Sequence, residues 1–227
     1  MKKKIVIFIL IIIVAAGAAF AYFELRSESL DSNNKNIDTE KVSKTIKEQD
    51  SPDGDWKIEQ TDDVFAGYTI NEVFGGETVT KTAVGKSLGV DGTLKIDGTT
   101  ISDIAVNVDM SKLQSSSDRR DDRMKNEGLE TTKFDTAKFL QSEDFELEKI
   151  PTKDETIVVN VKGDLVLHGV TVPVTFKLEA IWDGKTIKVS GQQEISLADY
   201  EISPPNESFV KVEDKGLIKL QLLFIPA

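Results

Sequence analysis

Ser87 lies in Gly85-Lys86-Ser87-Leu88-Gly89, which fits the G-x-S-x-G pattern of a hydrolase nucleophile. His168, the one histidine of the chain, lies downstream with several aspartates between, so the order Ser–Asp–His can be written. That motif needs a strand, a sharp turn and a helix in a parallel sheet. Leu88 instead opens a stretch in which apolar residues alternate, so a serine hydrolase stands only as a minor alternative. Gly85-Lys86-Ser87 also matches the end of a P-loop, but Thr80 occupies the place of the required first glycine and no helical pattern follows. His168 directly precedes Gly169, which suits a residue topping a hairpin and bonding to backbone better than a catalytic base. Asp109, Asp118, Asp121 and Asp122 could supply the two carboxylates of a glycosidase. Among 39 acidic residues some such pair always exists, and it carries no weight.

Composition narrows the chemistry further. The 227 residues include no Cys and a single His, with a formal net charge of −11. Disulfides, thiolate metal sites, cysteine nucleophiles and multi-histidine metal centres are thereby excluded. A surface this acidic repels phosphates, so nucleic acid is not an expected partner. No cofactor and no metal are implied. What is left is a binding or carrier domain, or an enzyme working with carboxylates and hydroxyls.

The elements that must position any site begin after two unusual segments. Lys2, Lys3 and Lys4 precede an uncharged run from Ile5 to Phe23. As a helix it would reach about 28 Å at ~1.5 Å per residue, near the thickness of a bilayer core. Ala19-Phe20-Ala21 fits a signal-peptidase site, so residues 1–23 read as either a cleaved signal peptide or a membrane anchor. Both place the rest of the chain on the extracytoplasmic side, because the lysines stay inside. Residues 24–55 contain 14 charged residues and five Leu, Ile or Val, a composition expected of a flexible tether. Its root-mean-square reach would be ~30 Å.

From residue 56 to 227 the dominant period is two. Rows of alternating apolar residues run through Leu88, Val90, Leu94 and Ile96, and through Ile104, Val106, Val108 and Met110. Others pass through Ile157, Val159, Val161, Leu165 and Leu167, through Val172, Val174, Phe176 and Leu178, and through Ile187, Val189, Ile195 and Leu197. The last comprises Ile218, Leu220, Leu222 and Phe224. With 56–61 and 64–73 these make about eight strands, divided by turn signals at Asp97-Gly98, His168-Gly169 and Asp183-Gly184. Short strands and tight turns predict an antiparallel sandwich or barrel. Gly92 and Gly163, together with Gly67 and Gly191, interrupt the rows. They mark either space for a ligand or places where strands bend sharply. Residues 115–126 break the alternation and read as a short helix or a long loop, with serines suited to capping.

Taken together, these segments resemble the YceI-like family of lipid- and polyisoprenoid-binding proteins. The residues that carry the resemblance are Trp56-Lys57-Ile58, Thr69-Ile70-Asn71-Glu72-Val73, Val108-Asp109-Met110, Arg119-Arg120-Asp121, Gly128-Leu129-Glu130 and the Phe134–Phe139 stretch. Gly163-Asp164-Leu165-Val166-Leu167-His168-Gly169-Val170-Thr171 with Pro173-Val174 follows, then Asp199-Tyr200-Glu201-Ile202 and Pro204-Pro205. Departures are small: Val166 stands where a Thr is expected, Val172 where a basic residue is common, and Asp135 where Pro is common.

The resemblance implies an all-β fold, an eight-stranded antiparallel lipocalin-like barrel with a short helical insert. Its interior would hold an isoprenoid, a quinone or a fatty acyl derivative, without catalysis. The implied lining and mouth residues are Phe65, Tyr68, Ile70, Phe74, Leu88, Val106, Val108, Arg120, Leu129, Phe139, Val161, Phe176 and Tyr200. Arg120 would either meet an anionic head group at the mouth or pin the insert to the barrel. Expected partners are the lipid ligand and the membrane through the N-terminal helix, and a homodimer is compatible with the sequence. A stress or structural barrel filled by its own side chains is the alternative.

Overall fold

The computed structural model describes residues 39–75, 80–204, 206–207 and 210–227. The expected membrane segment 1–23 and the start of the tether lie outside them. Among the described residues no helix is long and apolar enough to cross a membrane.

The chain runs α1 (Glu40–Ser43), β1 (Gly54–Ile58), β2 (Phe65–Phe74), β3 (Thr80–Ser87), β4 (Val90–Asp97), β5 (Thr100–Asp109) and β6 (Gln114–Ser115). It continues with α2 (Asp118–Asn126), β7 (Thr136–Gln141), β8 (Phe145–Glu146), β9 (Thr156–Leu167), β10 (Val170–Trp182), β11 (Ile187–Ser196), β12 (Asn206–Glu207) and β13 (Val210–Pro226). Every pairing is antiparallel. Several segments lie end to end as single staves. β1 and β2 both pair with β13, at Trp56↔Pro226 and Ala66↔Leu220, while β4 pairs with β1 and β3 with β2. β5 and β6 form the next stave, β7 and β8 the fourth, and β9, β10, β11 and β13 complete a closed ring of eight. Closure leaves no stave with an unpaired edge along its whole length.

The expected barrel is therefore present, built from slightly different strands than the alternation indicates. Residues 56–61 and 64–73 share one stave, and Thr136–Gln141 supplies another. The three turn signals all sit between adjacent strands. His168 and Gly169 have φ of 54° and 78°, the left-handed pair that a two-residue hairpin requires. The 115–126 break is a helix: Ser117 caps it, its hydroxyl accepting from the Arg120 N–H at 3.4 Å.

Two core clusters sit at opposite ends of the barrel. One gathers Trp56, Ile58, Leu94, Ile96, Trp182, Ile187 and Phe224. The other gathers Met110, Leu113, Ala137, Leu165, Leu167, Ile195, Tyr200 and Ile202, beside α2. Part of the expected tether also packs against the barrel. Val42 rests on the first cluster, Pro52 is buried, and the Gln49 N–H donates to the Gly184 carbonyl at 2.8 Å. The composition of 24–55 conceals this, because only a few of its apolar residues make the contact.

Candidate functional site

Between the two clusters lies a cavity of about 500 Å³, well inside the ~300–1,000 Å³ typical of small-molecule sites. Alternation puts one side chain in two toward it. β9 contributes Ile157, Val159, Val161, Leu165 and Leu167, and β10 contributes Phe176, Leu178, Ala180 and Trp182. Ile104, Val106 and Val108 of β5, and Ile218, Leu220, Leu222 and Phe224 of β13, complete much of the wall. The lining from Ile157 to Leu167 spans about 33 Å of strand at ~3.3 Å per residue. With the tilt that barrel closure demands, that is an axial depth of roughly 25 Å. The barrel is thus not filled by its own side chains, which removes the main support for the filled-barrel alternative.

Charge gathers at one end of the cavity, and at the other, otherwise apolar, end Glu155 is the charged residue on the border. At the charged end α2 lies across the opening, and Arg119, Arg120, Arg123, Met124 and Glu127 border the space together with Tyr68 and Glu72. No residue of α2 is fully buried; Met124 packs against the cluster beside it, and polar contacts fasten the rest. Arg120 donates from Nε to Glu72 Oε1 at 2.9 Å and from Nη2 to Oε2 at 3.1 Å. A third nitrogen, Nη1, donates to Ser115 Oγ at 3.1 Å. Glu72 holds the guanidinium pKa above its usual value, against the opposing effect of burial. Asp121 accepts from the Ser115 N–H at 2.9 Å and from its hydroxyl at 2.6 Å. The Tyr68 hydroxyl donates to Met124 Sδ at 3.1 Å, and burial pushes the phenol up to about 12. Arg120 and Asp121 therefore fasten α2 to β2 and β6, and Arg120 at the same time borders the cavity.

Residues 56–224 match the YceI-like domain. The chain belongs to the YceI-like family. It is 32% identical over 119 residues to a UPF0312 protein of Vibrio campbellii, covering 49% of this chain and 60% of that one. It is also 32% identical over 132 residues to a UPF0312 protein of Pseudomonas fluorescens, covering 54% and 65%. The matched stretches span less than two thirds of those relatives. A solved polyisoprenoid-binding domain from Saccharophagus degradans superposes with a TM-score of 0.57 at 16% identity, covering 76% of this chain and 98% of that one. That likeness supports the fold.

Within the YceI-like barrel, ten of the expected lining residues border the cavity: Tyr68, Ile70, Phe74, Val106, Val108, Arg120, Leu129, Phe139, Val161 and Phe176. Three do not. Phe65 is three residues from Tyr68 on the same strand, hence on the opposite face; Lys86 Nζ sits 3.9 Å from its ring centroid outside the barrel. Leu88 falls at the junction of β3 and β4, where the alternation slips, and is 47% exposed. Tyr200 belongs to a 3-10 turn and is buried within the cluster beside α2 rather than against the cavity. Several lining residues escaped the sequence reading, above all Trp182 and Pro52 at the apolar end and the arginines flanking Arg120.

The hydrolase alternative loses its geometry in the YceI-like fold. Ser87 is fully buried, its hydroxyl donates to the Asp109 carbonyl at 2.7 Å, and it accepts from the Gly89 N–H at 3.2 Å. His168 is committed elsewhere: Nδ1 lies 3.1 Å from the Tyr200 carbonyl oxygen and Nε2 lies 2.9 Å from Glu130 Oε2, with the Phe134 ring tilted against it at 4.3 Å between centroids. It ties the β9–β10 hairpin to two loops, as expected of a hairpin-top residue. Among the described residues no cluster of metal-ligating side chains is present. The space beside the interrupting glycines is taken up by neighbouring strands rather than left for a ligand. A Cβ on Gly92 would stand 2.4 Å from the Ala105 carbonyl oxygen, and one on Gly163 would stand 2.4 Å from both the Leu140 oxygen and the Phe139 ring.

Proposed function

We propose that this protein is a non-catalytic carrier that sequesters a chain-like apolar ligand, an isoprenoid, quinone or fatty acyl derivative, inside its barrel. The observation that carries this reading is the apolar cavity running most of the barrel's depth, with charge only toward its ends. Each methylene taken from water into such a space contributes roughly 0.8 kcal/mol, so affinity needs no special polar partner. The polyisoprenoid-binding description of the S. degradans domain, which shares the fold, supports the same ligand class. α2 is the entrance, because it lies across the charged end with no fully buried residue and can lift once the Arg120–Glu72 pair and the contacts to Ser115 open. Export with residues 1–23 retained as an anchor would keep the barrel near the bilayer where such ligands reside, whereas cleavage after Ala21 would release it on the extracytoplasmic side.

The test is displacement of a fluorescent polyene fatty acid from the full chain by prenyl alcohols. Saturable, one-to-one displacement is the expected result. A probe that shows no saturable binding would remove the carrier reading.

A further inference from the structure

The end of the bore opposite α2 is closed by a segment that lies outside the barrel in sequence. Pro52 is less than 2% exposed and borders the cavity, and the Trp56 indole N–H donates to its carbonyl at 2.8 Å. The segment is fastened across that end at several further points. Gln49 bonds to the β10–β11 turn at Gly184, Glu48 pairs with Lys153 of the loop after β8, and Lys185 Nζ donates to the Ser43 carbonyl at 3.1 Å. Trp182, 6% exposed, lies beside Pro52 as the last inward side chain of β10. Pro151 and Leu147 border the cavity from the same loop as Lys153. This floor includes fully buried side chains, whereas α2 is a cover with none, Met124 alone packing partly against the cluster beneath it.

A floor fixes the depth of a bore, and depth fixes the length of chain that can be buried. The cavity of about 500 Å³ holds roughly 16 groups of water or methylene size at ~30 Å³ each. We propose that Pro52 and Trp182 act as a ruler that limits the buried part of the ligand to a chain of roughly 15 carbons, about three prenyl units, at that packing. The inference rests on the carrier reading and narrows it, for a chain of eight or nine prenyl units would have to protrude past α2. Residues that composition assigns to a tether thereby become determinants of specificity.

The experiment is competition of farnesol, geranylgeraniol and solanesol, with three, four and nine prenyl units, against radiolabelled geranylgeraniol. The full chain is held in amphipol. Farnesol and geranylgeraniol are expected to compete best, and solanesol roughly tenfold or more weakly, since units outside the bore gain no burial. Trp182→Ala should open the floor and bring solanesol to within about threefold of geranylgeraniol, as the added length becomes buried. Should that variant fail to fold, Pro52→Gly tests the same point from the other side of the floor. Solanesol binding to the unaltered protein as tightly as geranylgeraniol would overturn the ruler while leaving the carrier intact. Absence of binding by all three, including the labelled alcohol, would overturn both.

Discussion

Arg120 grips Glu72 with two parallel hydrogen bonds, at 2.9 and 3.1 Å, and so joins the helix over the bore to the wall of the barrel. Their side chains are 24% and 13% exposed, which keeps much of the water away from the pair. Removing one partner leaves the other charge poorly solvated. Arg120→Ala is expected to destabilise the protein by about 1–3 kcal/mol, the range for a charge-assisted bond left half made. Replacing both by apolar residues should cost less than the sum of the single changes, because no unpaired charge remains. Urea denaturation of the two single variants and the double variant measures the coupling. The same Arg120→Ala change should raise amide exchange across 118–126 and speed ligand release, with exchange elsewhere in the barrel little altered.

Gly163 stands under the Phe139 ring and against the Leu140 carbonyl, with no room for a methyl group. Gly163→Ala should cost about 1–3 kcal/mol, as overpacking does. Trimming the ring in Gly163→Ala/Phe139→Ala should not restore stability, because the carbonyl obstructs the methyl as well. Full recovery in the double variant would show that the ring alone sets the constraint.

Ala180 faces the bore midway between Leu178 and Trp182. Ala180→Phe should fill part of the void and weaken ligand binding by at least about tenfold. Stability should stay within about 1 kcal/mol of the unaltered protein or rise, since filling a cavity restores lost contacts. Binding is read by probe displacement and stability by thermal unfolding. Unchanged binding with a folded variant would place the ligand outside the bore.

Three groups, Glu155, Tyr68 and Tyr200, make the pH limits of the fold predictable. Lys149 is the first cause, followed by the Thr152 amide and hydroxyl, that holds the Glu155 carboxylate down to about 2, from an ordinary 4.5. A depressed folded-state pKa gives stability that is complete above about 4.5 and is lost as pH falls toward 2. The 149–155 loop should therefore gain amide exchange across that window, and less so in Glu155→Gln, which starts without the ionised contact.

At high pH the sign reverses. Burial raises the phenols of both Tyr68 and Tyr200 from 10 to about 12. Their contribution is complete below 10 and is lost as pH rises toward 12, because the unfolded chain gives up those protons first. Absorbance titration should place both phenols well above 10, and Tyr68→Phe should remove one of them and blunt the alkaline loss of stability.

The barrel was legible because closed sheets bury one face of each strand, so β9, β11 and β13 print their inward rows as alternating Ile, Val and Leu. β3 was harder to read for the same reason reversed. Its inward residues are Ala83, Gly85 and Ser87, small groups that leave no apolar row. Leu88 misled because the stave breaks there: Ser87 and Val90 both point inward, three residues apart, and the intervening slip turns Leu88 outward. Phe65 could have been placed correctly, since a residue three before Tyr68 on one strand cannot share its face. The floor was invisible to composition, because a few contacts from Val42, Gln49 and Pro52 dock a segment whose other residues are mostly charged or polar.

The most direct test of the carrier is native mass spectrometry of the full chain purified from its source cells, followed by organic extraction. A stoichiometric adduct that extracts as a prenyl or acyl chain is the predicted result, and its mass gives the chain length. A protein that arrives bare and stays bare after incubation with prenyl alcohols, quinones and fatty acids would contradict the account at its centre.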